Sequence, residues 1–129
     1  MEIRYVEGDG ALTVVDFLAL AQRVWPGRYE VESARAALGR TLNLTARSGS
    51  RLVGCVRLLS DGYFFTTITE LLVDPDFRRQ GIGSELMRRA WEASPTSIFF
   101  GAQPGREAFY ERLGFERGLQ SFSRRKPRP

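Results

Sequence analysis

The spacing of apolar residues along the chain predicts four helices. From Ala11 to Trp25, apolar side chains recur every three or four residues, which places them on one helix face, and Pro26-Gly27 ends the helix. Three later segments show the same spacing, and Gly114 follows the last of them as a C-cap residue. The predicted helices are Ala11–Trp25, Glu30–Arg40, Ser84–Ala93 and Arg106–Leu113.

Apolar runs that alternate with polar residues, or that end at turn residues, predict the strands. Three runs follow one another in the middle of the chain, joined by Ser48-Gly49-Ser50 and Ser60-Asp61-Gly62, which predicts an antiparallel meander. In the second half strands alternate with helices, which favours a mixed sheet with helices on its faces. The predicted strands are Ile3–Val6, Leu42–Arg47, Arg51–Leu59, Phe64–Val73, Ser97–Gly101 and a terminal pair, Phe115–Arg117 and Leu119–Ser123.

The composition limits the chemistry available to the chain. It contains no histidine and a single cysteine, Cys55, which excludes a Ser-His-Asp triad, a Cys-His pair and an intramolecular disulfide. Carboxylates, tyrosines, arginines and backbone amides remain, so we expect no metal, and we expect Cys55 in the core. No linker or repeat divides the 129 residues, and one domain over 1–129 is predicted, with a basic tail from about residue 124.

The net charge of +4 is concentrated at the C-terminal end. Residues 117–129 hold five positive residues and no acid, so residues 1–116 carry a net charge of −1. This distribution is typical of a solvated tail, and a nucleic-acid-binding module that uses the tail is the least favoured function. The five residues are Arg117, Arg124, Arg125, Lys126 and Arg128.

The sequence predicts neither a membrane segment nor a leader. No apolar run reaches about 18 residues, and the acidic segment Met1–Gly10 lacks the basic and then apolar plan of a signal peptide. With one free thiol, the expected location is the cytoplasm.

The segment from Arg78 to Ser84 has the features of an anion-binding loop. It follows an apolar strand, contains Gly81 and Gly83, and opens a helix whose first N–H groups have no intrahelical partner. Glycines allow a phosphate to approach the backbone closely, so the loop predicts a phosphate or pyrophosphate site. The alternative is a tight connection with solvated arginines. The spacing matches neither a Walker loop nor a Rossmann fingerprint.

Two segments resemble the signatures of the GNAT superfamily of N-acetyltransferases. Residues 72–83 read Leu-Val-Asp-Pro-x-x-Arg-x-x-Gly-Ile-Gly, similar to the pattern Arg/Gln-x-x-Gly-x-Gly/Ala after a strand ending Val-x-Pro. Residues 103–115 are similar to Asn-x-x-Ala-x-x-hydrophobic-Tyr-x-x-x-Gly-Phe, with Gln103 and Arg106 in place of the Asn and the Ala. The resemblance covers nearly the whole chain and implies an α/β fold with a mostly antiparallel central sheet flanked by helices on both faces.

The resemblance implies that acetyl-CoA is the co-substrate. Backbone groups of Leu72 and Val73 would pair with the pantetheine arm, and an amide N–H from this strand would polarise the thioester carbonyl. The other implied contacts to acetyl-CoA are Arg78, Arg79, Gln80, Gly81, Ile82, Gly83, Ser84, Gln103 and Tyr110.

Tyr110 and Glu70 are the catalytic candidates that the resemblance supplies. Tyr110 matches the proton donor to the leaving thiolate, a role that a phenol suits; the alternative is a core aromatic residue. Glu70 is the only carboxylate in the apolar strand before the loop and matches a base that deprotonates the amine through water. Its alternative is a strand residue paired with an arginine such as Arg57.

The acceptor site is predicted in the first half of the chain. The turn from Trp25 to Tyr29 lies between the first two helices, where the resemblance implies a wall of the acceptor pocket. Tyr63, Phe64 and Phe65 lie at the opening of the central strand and are expected to add an aromatic wall. The acceptor is expected to be a primary amine of a small molecule or a peptide.

The sequence therefore predicts an acetyl-CoA-dependent N-acetyltransferase in which the amine attacks directly, without a covalent enzyme intermediate. The alternative is a non-catalytic acyl-CoA-binding sensor. An open sheet edge beside the last strands favours a homodimer, and no membrane contact is expected.

Overall fold

The computed structural model describes residues 2–127, which contain five strands and four α-helices. A 3-10 turn, Pro75–Phe77, precedes the third helix. Over this range none of the helices has the length and apolar character needed to cross a bilayer. The strands are β1 (Arg4–Glu7), β2 (Leu42–Ser48), β3 (Arg51–Ser60), β4 (Thr66–Val73) and β5 (Ile98–Phe99), and the helices are α1 (Val14–Val24), α2 (Val31–Leu38), α3 (Ile82–Ala93) and α4 (Glu107–Arg112).

All five strands belong to one sheet, in the order β1-β2-β3-β4-β5. Strands β1 to β4 pair antiparallel, whereas β5 runs parallel to β4. The parallel pair is short, since only Thr66 with Ile98 and Thr67 with Phe99 are in register. The predicted mixed, mostly antiparallel sheet and its central meander are confirmed.

Helices cover both faces of the sheet, as predicted. Helix α1 is capped by Thr13 and packs Phe17 and Leu20 against Leu52 and Leu72 on one face. Helix α3 covers the opposite face, where most of the core lies. Buried residues on that face include Leu44, Val53, Val56, Leu58, Ile82, Leu86, Met87 and Ala90.

Gly54 on β3 sets how closely α3 approaches the sheet. A Cβ atom at this position would lie 2.9 Å from Ile82 Cγ2 and 3.0 Å from Leu86 Cδ1. Both of these side chains are buried, so neither could move aside without disturbing the core. The absence of a side chain at Gly54 therefore brings the first turns of α3 directly onto β3.

Strand β4 begins two residues later than predicted because Asp61 organises a turn before it. The Asp61 carboxylate accepts hydrogen bonds from the backbone N–H groups of Tyr63, Phe64 and Phe65, at 2.8 to 3.0 Å. These N–H groups point into the turn, so the three residues are not in the sheet.

The predicted terminal strand pair is wrong. Neither Phe115–Arg117 nor Leu119–Ser123 forms a strand in the described chain. A strand needs a hydrogen-bonding partner along its length, and β5 at the edge of the sheet has only two paired residues. Phe115 instead packs against Phe100, with the ring centroids 5.3 Å apart. Of the predicted basic tail, Arg128 lies outside the described residues.

Candidate active site

A cleft of about 900 Å³ opens where β4 and β5 stop pairing. The two strands are joined only as far as Thr67 and Phe99. Beyond that point Ile68–Leu71 and Val73 of β4 form one wall, and Phe100 lies on the other. On the side away from β3, β4 therefore faces the cleft with backbone groups that an extended ligand could pair with as a further strand.

The predicted anion-binding loop lies at one end of this cleft. Arg79, with φ 64°, and Gly81, with φ 77°, adopt left-handed backbone and turn the chain into α3. Gly81 caps the helix without any side-chain hydrogen bond. The first N–H groups of this 12-residue helix, at Ile82 and Gly83, have no intrahelical acceptor and are available to an anion.

Packing within the protein does not require glycine at position 83. A Cβ atom there would lie 3.5 to 3.7 Å from Phe109, Val73 and Leu71, which is ordinary contact distance. Gly81 differs, because its positive φ disfavours any residue with a side chain. Of the two loop glycines, only Gly81 has a backbone conformation that favours glycine.

Asp74 anchors the strand that leads into this loop, a role that the sequence analysis missed. Its carboxylate is fully buried, and one oxygen accepts from Arg23 Nε and Arg51 Nη2, both at 2.8 Å. The other oxygen accepts from the Asp76 N–H at 2.9 Å. Burial alone would raise the pKa of Asp74, but these hydrogen bonds and the two arginine charges outweigh it and lower the pKa.

Tyr110 lies in the cleft within a group of aromatic rings. Phe100 and Phe109 meet its ring edge-on, with centroids 4.7 and 4.9 Å away, and Phe115 lies at 6.3 Å. Burial raises the pKa of Tyr110, whereas the charge of Arg106 lowers it, with a net rise. The phenol is therefore protonated at neutral pH and able to donate a proton or a hydrogen bond.

Glu70 also lines the cleft, and it is held by Arg57. The two residues are register partners on β4 and β3. Arg57 donates from Nε to one carboxylate oxygen and from Nη2 to the other, the latter at 3.0 Å. Thr69 Oγ1 lies 3.0 Å from Glu70 Oε1 as well. The ion pair that the sequence analysis named as the alternative for Glu70 is present, and its carboxylate is not free.

The turn between α1 and α2 contributes Trp25 to the cleft but not Tyr29. The Tyr29 hydroxyl donates to the carbonyl oxygen of Trp25, and Gln22 Oε1 accepts from the Gly27 N–H at 2.8 Å. Tyr29 thus braces the turn, while the Trp25 side chain, about half exposed, lines the cleft.

Tyr63 and Phe65 lie outside the cleft, and the predicted second aromatic wall is not where the sequence analysis placed it. Tyr63 is 78% exposed. Phe65 stacks on Phe99, with the rings 5.8 Å apart and nearly parallel. The Asp61 turn holds all of these rings at the paired end of β4 and β5, away from the splayed end.

The structure brings most of the predicted site residues to one cleft. The predicted residues that line it are Trp25, Glu70, Val73, Arg78, Arg79, Gly81, Ile82, Gly83, Ser84, Gln103 and Tyr110. Leu72 is buried beneath the wall, and Gln80 lies in the loop without lining the cleft.

The cleft also contains residues that the sequence analysis did not assign to it. Thr69, Phe100, Phe109, Arg106 and Arg112 line it. Arg106 lies four residues before Tyr110 and Arg112 two residues after it. Arg78, Arg79, Arg106 and Arg112 face only one acid in the cleft, Glu70, so the cleft is positively charged over its described residues and suits an anionic ligand.

Two further expectations concern Cys55 and metals. Cys55 is fully buried, and desolvation raises the pKa of its thiol to about 12, so it is a core residue without nucleophilic character. Among residues 2–127, no three Cys, Asp or Glu side chains are grouped as a metal site would require.

The chain is similar in sequence to one known protein family. Residues 40–117 match the family model described as an acetyltransferase (GNAT) domain. This range includes β2 to β5, the loop before α3 and Tyr110, which together form most of the cleft.

Individual relatives agree with the family match. The chain is 31% identical over 142 residues to a chloroplastic GCN5-related N-acetyltransferase of Arabidopsis thaliana, covering 89% of this chain and 54% of that protein. The chain spans about half or less of the length of the curated relatives that it matches.

Solved structures show the same fold. A GNAT-family acetyltransferase from Streptococcus pneumoniae TIGR4 is similar with a TM-score of 0.79 at 27% identity, over 96% of this chain and 100% of that chain. An aminoglycoside N-acetyltransferase solved in complex with CoA gives a TM-score of 0.73 at 15% identity, over 97% of this chain and 95% of that chain.

Proposed function

Because the chain belongs to the GNAT acetyltransferase family, we propose that it transfers an acetyl group from acetyl-CoA to a primary amine of a small molecule or peptide. The observation that carries this proposal is the cleft between β4 and β5, which joins the anion-binding end of α3 to Tyr110. Acetyl-CoA is elongated and negatively charged, so it needs a long cleft with an anion-binding end. Its leaving thiolate needs a proton donor such as Tyr110.

The residues of the cleft suit the shape and charge of acetyl-CoA. The free N–H groups from Gly81 to Ser84 would hold the pyrophosphate, with Arg78 and Arg79 beside them. The exposed edge of β4 at Leu72 and Val73 would pair with the pantetheine arm. A solved relative of the same fold contains CoA, which supports this assignment.

Bound acetyl-CoA supplies the acetyl group as a thioester. An N–H group on the edge of β4 would polarise the thioester carbonyl. Tyr110, protonated at neutral pH, would donate its proton to the departing sulfur. The surrounding rings of Phe100, Phe109 and Phe115 hold the phenol in one orientation for this step.

The acceptor amine would approach from the side of Trp25 and Glu70. Trp25 lines the cleft with an exposed aromatic face, which attracts a cationic amine. Glu70 would accept the proton of the amine through water, while Arg57 fixes the direction of the carboxylate. The tertiary structure offers no other acidic residue among the described residues of the cleft.

One observation favours a second candidate, a non-catalytic acyl-CoA-binding sensor. Arg57 engages both oxygens of Glu70, so the acceptor side of the cleft has no uncommitted carboxylate in the described chain. A sensor would keep the loop and the β4 edge and would not need a base.

The deciding experiment combines binding with turnover. Isothermal titration calorimetry with acetyl-CoA tests the donor site, and release of free thiol over a broad panel of primary amines tests catalysis. Binding with amine-dependent release supports the transferase. Binding without release from any amine supports the sensor, and the absence of binding overturns both candidates.

A homodimer and a cytoplasmic location remain parts of the proposal. Strand β5 pairs only with β4 within residues 2–127, which leaves one sheet edge open to a second copy. Light scattering after size-exclusion chromatography measures the mass in solution, and a mass of one chain at all concentrations would exclude the dimer.

A further inference from the structure

Arg106 lies one helical turn before Tyr110, and both side chains line the cleft. Arg106 occupies the N-cap position of α4, and its carbonyl oxygen accepts from the Tyr110 N–H at 3.4 Å. Residues four apart on a helix lie on the same face. Arg106 and Tyr110 therefore lie on the same side of the helix and both line the cleft.

The charge of Arg106 is not neutralised by the residues around it. Within residues 2–127, Arg106 forms no ion pair. The acid Glu111 on the same helix pairs with Arg117 at 3.4 Å instead. Glu107, the other acid of α4, accepts hydrogen bonds from backbone groups at the start of the helix and forms no ion pair with Arg106 in the described chain.

The other charged groups of the cleft are one acid and three arginines. Glu70 on β4 is held by Arg57, and Arg78 and Arg79 are in the anion-binding loop. Arg112, on the last turn of α4, also lines the cleft. The charge of Arg106 lowers the pKa of the Tyr110 phenol, against the larger effect of burial, which raises it.

We propose that Arg106 is a positioning residue for the acetyl transfer, whose guanidinium stabilises the negative charge that develops at Tyr110 and the adjacent sulfur. This inference rests on the proposed transferase function. It adds a residue that stands where the similar family signature has an alanine, so it distinguishes this chain.

In the acetyl transfer, Glu70 first accepts one proton of the cationic amine through water and later returns it to solvent. The neutral amine nitrogen uses its lone pair to form the C–N bond, and the electron pair of the C–S bond stays on sulfur. The Tyr110 phenol gives its proton to that sulfur, and the second proton, which the nitrogen loses after the C–N bond has formed, passes through water to the phenolate. Arg106 keeps its proton throughout and acts only by its charge.

The first test is a titration that requires no activity. The ionisation of Tyr110 is measured by near-ultraviolet absorbance as the difference between each protein and its Tyr110→Phe counterpart. Arg106→Ala should move this ionisation to higher pH, and Arg106→Lys, which keeps the charge, should restore it. Arg112→Ala is the matched charge control and should leave the titration unchanged.

The second test is kinetic. Arg106→Ala should lower kcat roughly two- to fivefold, the effect of one partly screened charge, with little change in the KM for acetyl-CoA. The loss should shrink at high salt, which screens exposed charges. Arg106→Lys should recover most of kcat.

The outcomes separate this inference from the proposed function. An unmoved Tyr110 titration in Arg106→Ala would overturn the role of Arg106 even if the enzyme is active. A raised KM for acetyl-CoA with unchanged kcat would also overturn it, because Arg106 would then bind a phosphate. If the wild-type protein shows no turnover with any amine, the proposed transferase function is contradicted. The titration would still show whether Arg106 acts on Tyr110.

Discussion

Arg57 on β3 and Glu70 on β4 face each other across the antiparallel pair and are joined by a two-point ion pair beside the cleft. Both side chains are largely buried, with 13% and 15% of their surface exposed. The Arg57 guanidinium also lies over the Phe17 ring of α1, 5.4 Å from its centroid. The pair thus links the β4 wall of the cleft to α1, the helix that precedes the turn from Trp25 to Tyr29.

Glu70→Gln should lower turnover at neutral pH and recover part of it at high pH. The variant cannot accept a proton, but at high pH the amine is neutral without help from the enzyme. A pH profile of kcat/KM for the amine is the measurement. A loss that is equal at every pH would contradict the role of base and leave Glu70 as the partner of Arg57.

The same variant should also lose stability, by about 1 to 3 kcal/mol, because Arg57 would keep its charge with a weakened partner. Arg57→Gln is the matched control for stability, since it breaks the same pair from the other side. If only the loss of stability appears, with normal kinetics in both variants, the pair is structural.

Tyr110→Phe should reduce kcat by roughly 10²-fold or more, the lower range for a general acid. The substitution keeps the ring among Phe100, Phe109 and Phe115 and removes only the hydroxyl. Stability should therefore change by about 1 kcal/mol or less, and affinity for acetyl-CoA should hardly change. Calorimetry and steady-state kinetics together make the measurement. Normal turnover would show that Tyr110 only packs.

Gly81→Val should abolish the rise in melting temperature that acetyl-CoA gives by binding the folded protein. A branched residue at φ 77° strains the loop and displaces the N–H groups at the start of α3. Gly49→Val is the matched control, because Gly49 has φ 61° and open space around it but lies in the β2–β3 turn. Both variants should melt lower without ligand, and only Gly49→Val should keep the shift. Equal shifts in both would remove the pyrophosphate from this loop.

Asp74→Asn should destabilise the fold by about 2 kcal/mol or more at neutral pH, the scale of a charged hydrogen bond to a buried group. Because the folded-state pKa of Asp74 is lowered, its contribution is complete above the unfolded pKa of about 3.9 and is lost as the pH falls through the folded value. The gap between variant and wild type should therefore narrow in acid.

Urea unfolding at several pH values measures this gap. Asp76→Asn is the neighbouring control and should cost little, since the Asp76 side chain is 75% exposed. A gap that stays constant down to the lowest pH would mean that Asp74 stabilises the fold by packing alone.

Trp25→Ala should raise the KM for the amine acceptor roughly two- to fivefold, the range for an exposed cation–π contact, and leave the KM for acetyl-CoA unchanged. Phe64→Ala is the aromatic control, because Phe64 lies in the Asp61 turn outside the cleft and is 84% exposed. Its kinetics should match the wild type. If Phe64→Ala impairs the acceptor and Trp25→Ala does not, the acceptor lies at the paired end of β4 and β5.

Local pattern alone predicted the four helices and the meander, and the resemblance supplied the residues proposed to bind acetyl-CoA. Helical and strand periods depend on neighbours within a few residues, so every helix and the meander could be predicted with small errors at their ends. The loop from Arg78 to Ser84 and the position of Tyr110 also lie in continuous motifs. A motif of this kind carries its geometry in its own backbone, which is why these residues were found without a structure.

The positions of the aromatic residues predicted around the acceptor depended on side-chain hydrogen bonds that periodicity does not contain. Periodicity placed Phe65 at the start of a strand, but the Asp61 carboxylate captured the backbone N–H groups there and turned the aromatic side chains away from the cleft. Tyr29 was drawn instead to the Trp25 carbonyl. A side-chain oxygen and a neighbouring strand can compete for the same backbone N–H group. Which of them forms the hydrogen bond depends on local geometry, which the spacing of apolar residues does not reveal.

By itself, then, the sequence determined the order of the four helices and five observed strands, the loop from Arg78 to Ser84 and the place of Tyr110 in a continuous motif. Only the tertiary structure decided which side chains meet. The strand register joins Arg57 to Glu70, and the approach of α3 makes Gly54 a packing requirement. The tertiary structure also provides no partner strand for Phe115–Arg117 and Leu119–Ser123, because β5 pairs over two residues only. Such contacts depend on register and on distance between elements, and a one-residue change in register would exchange every partner along a strand.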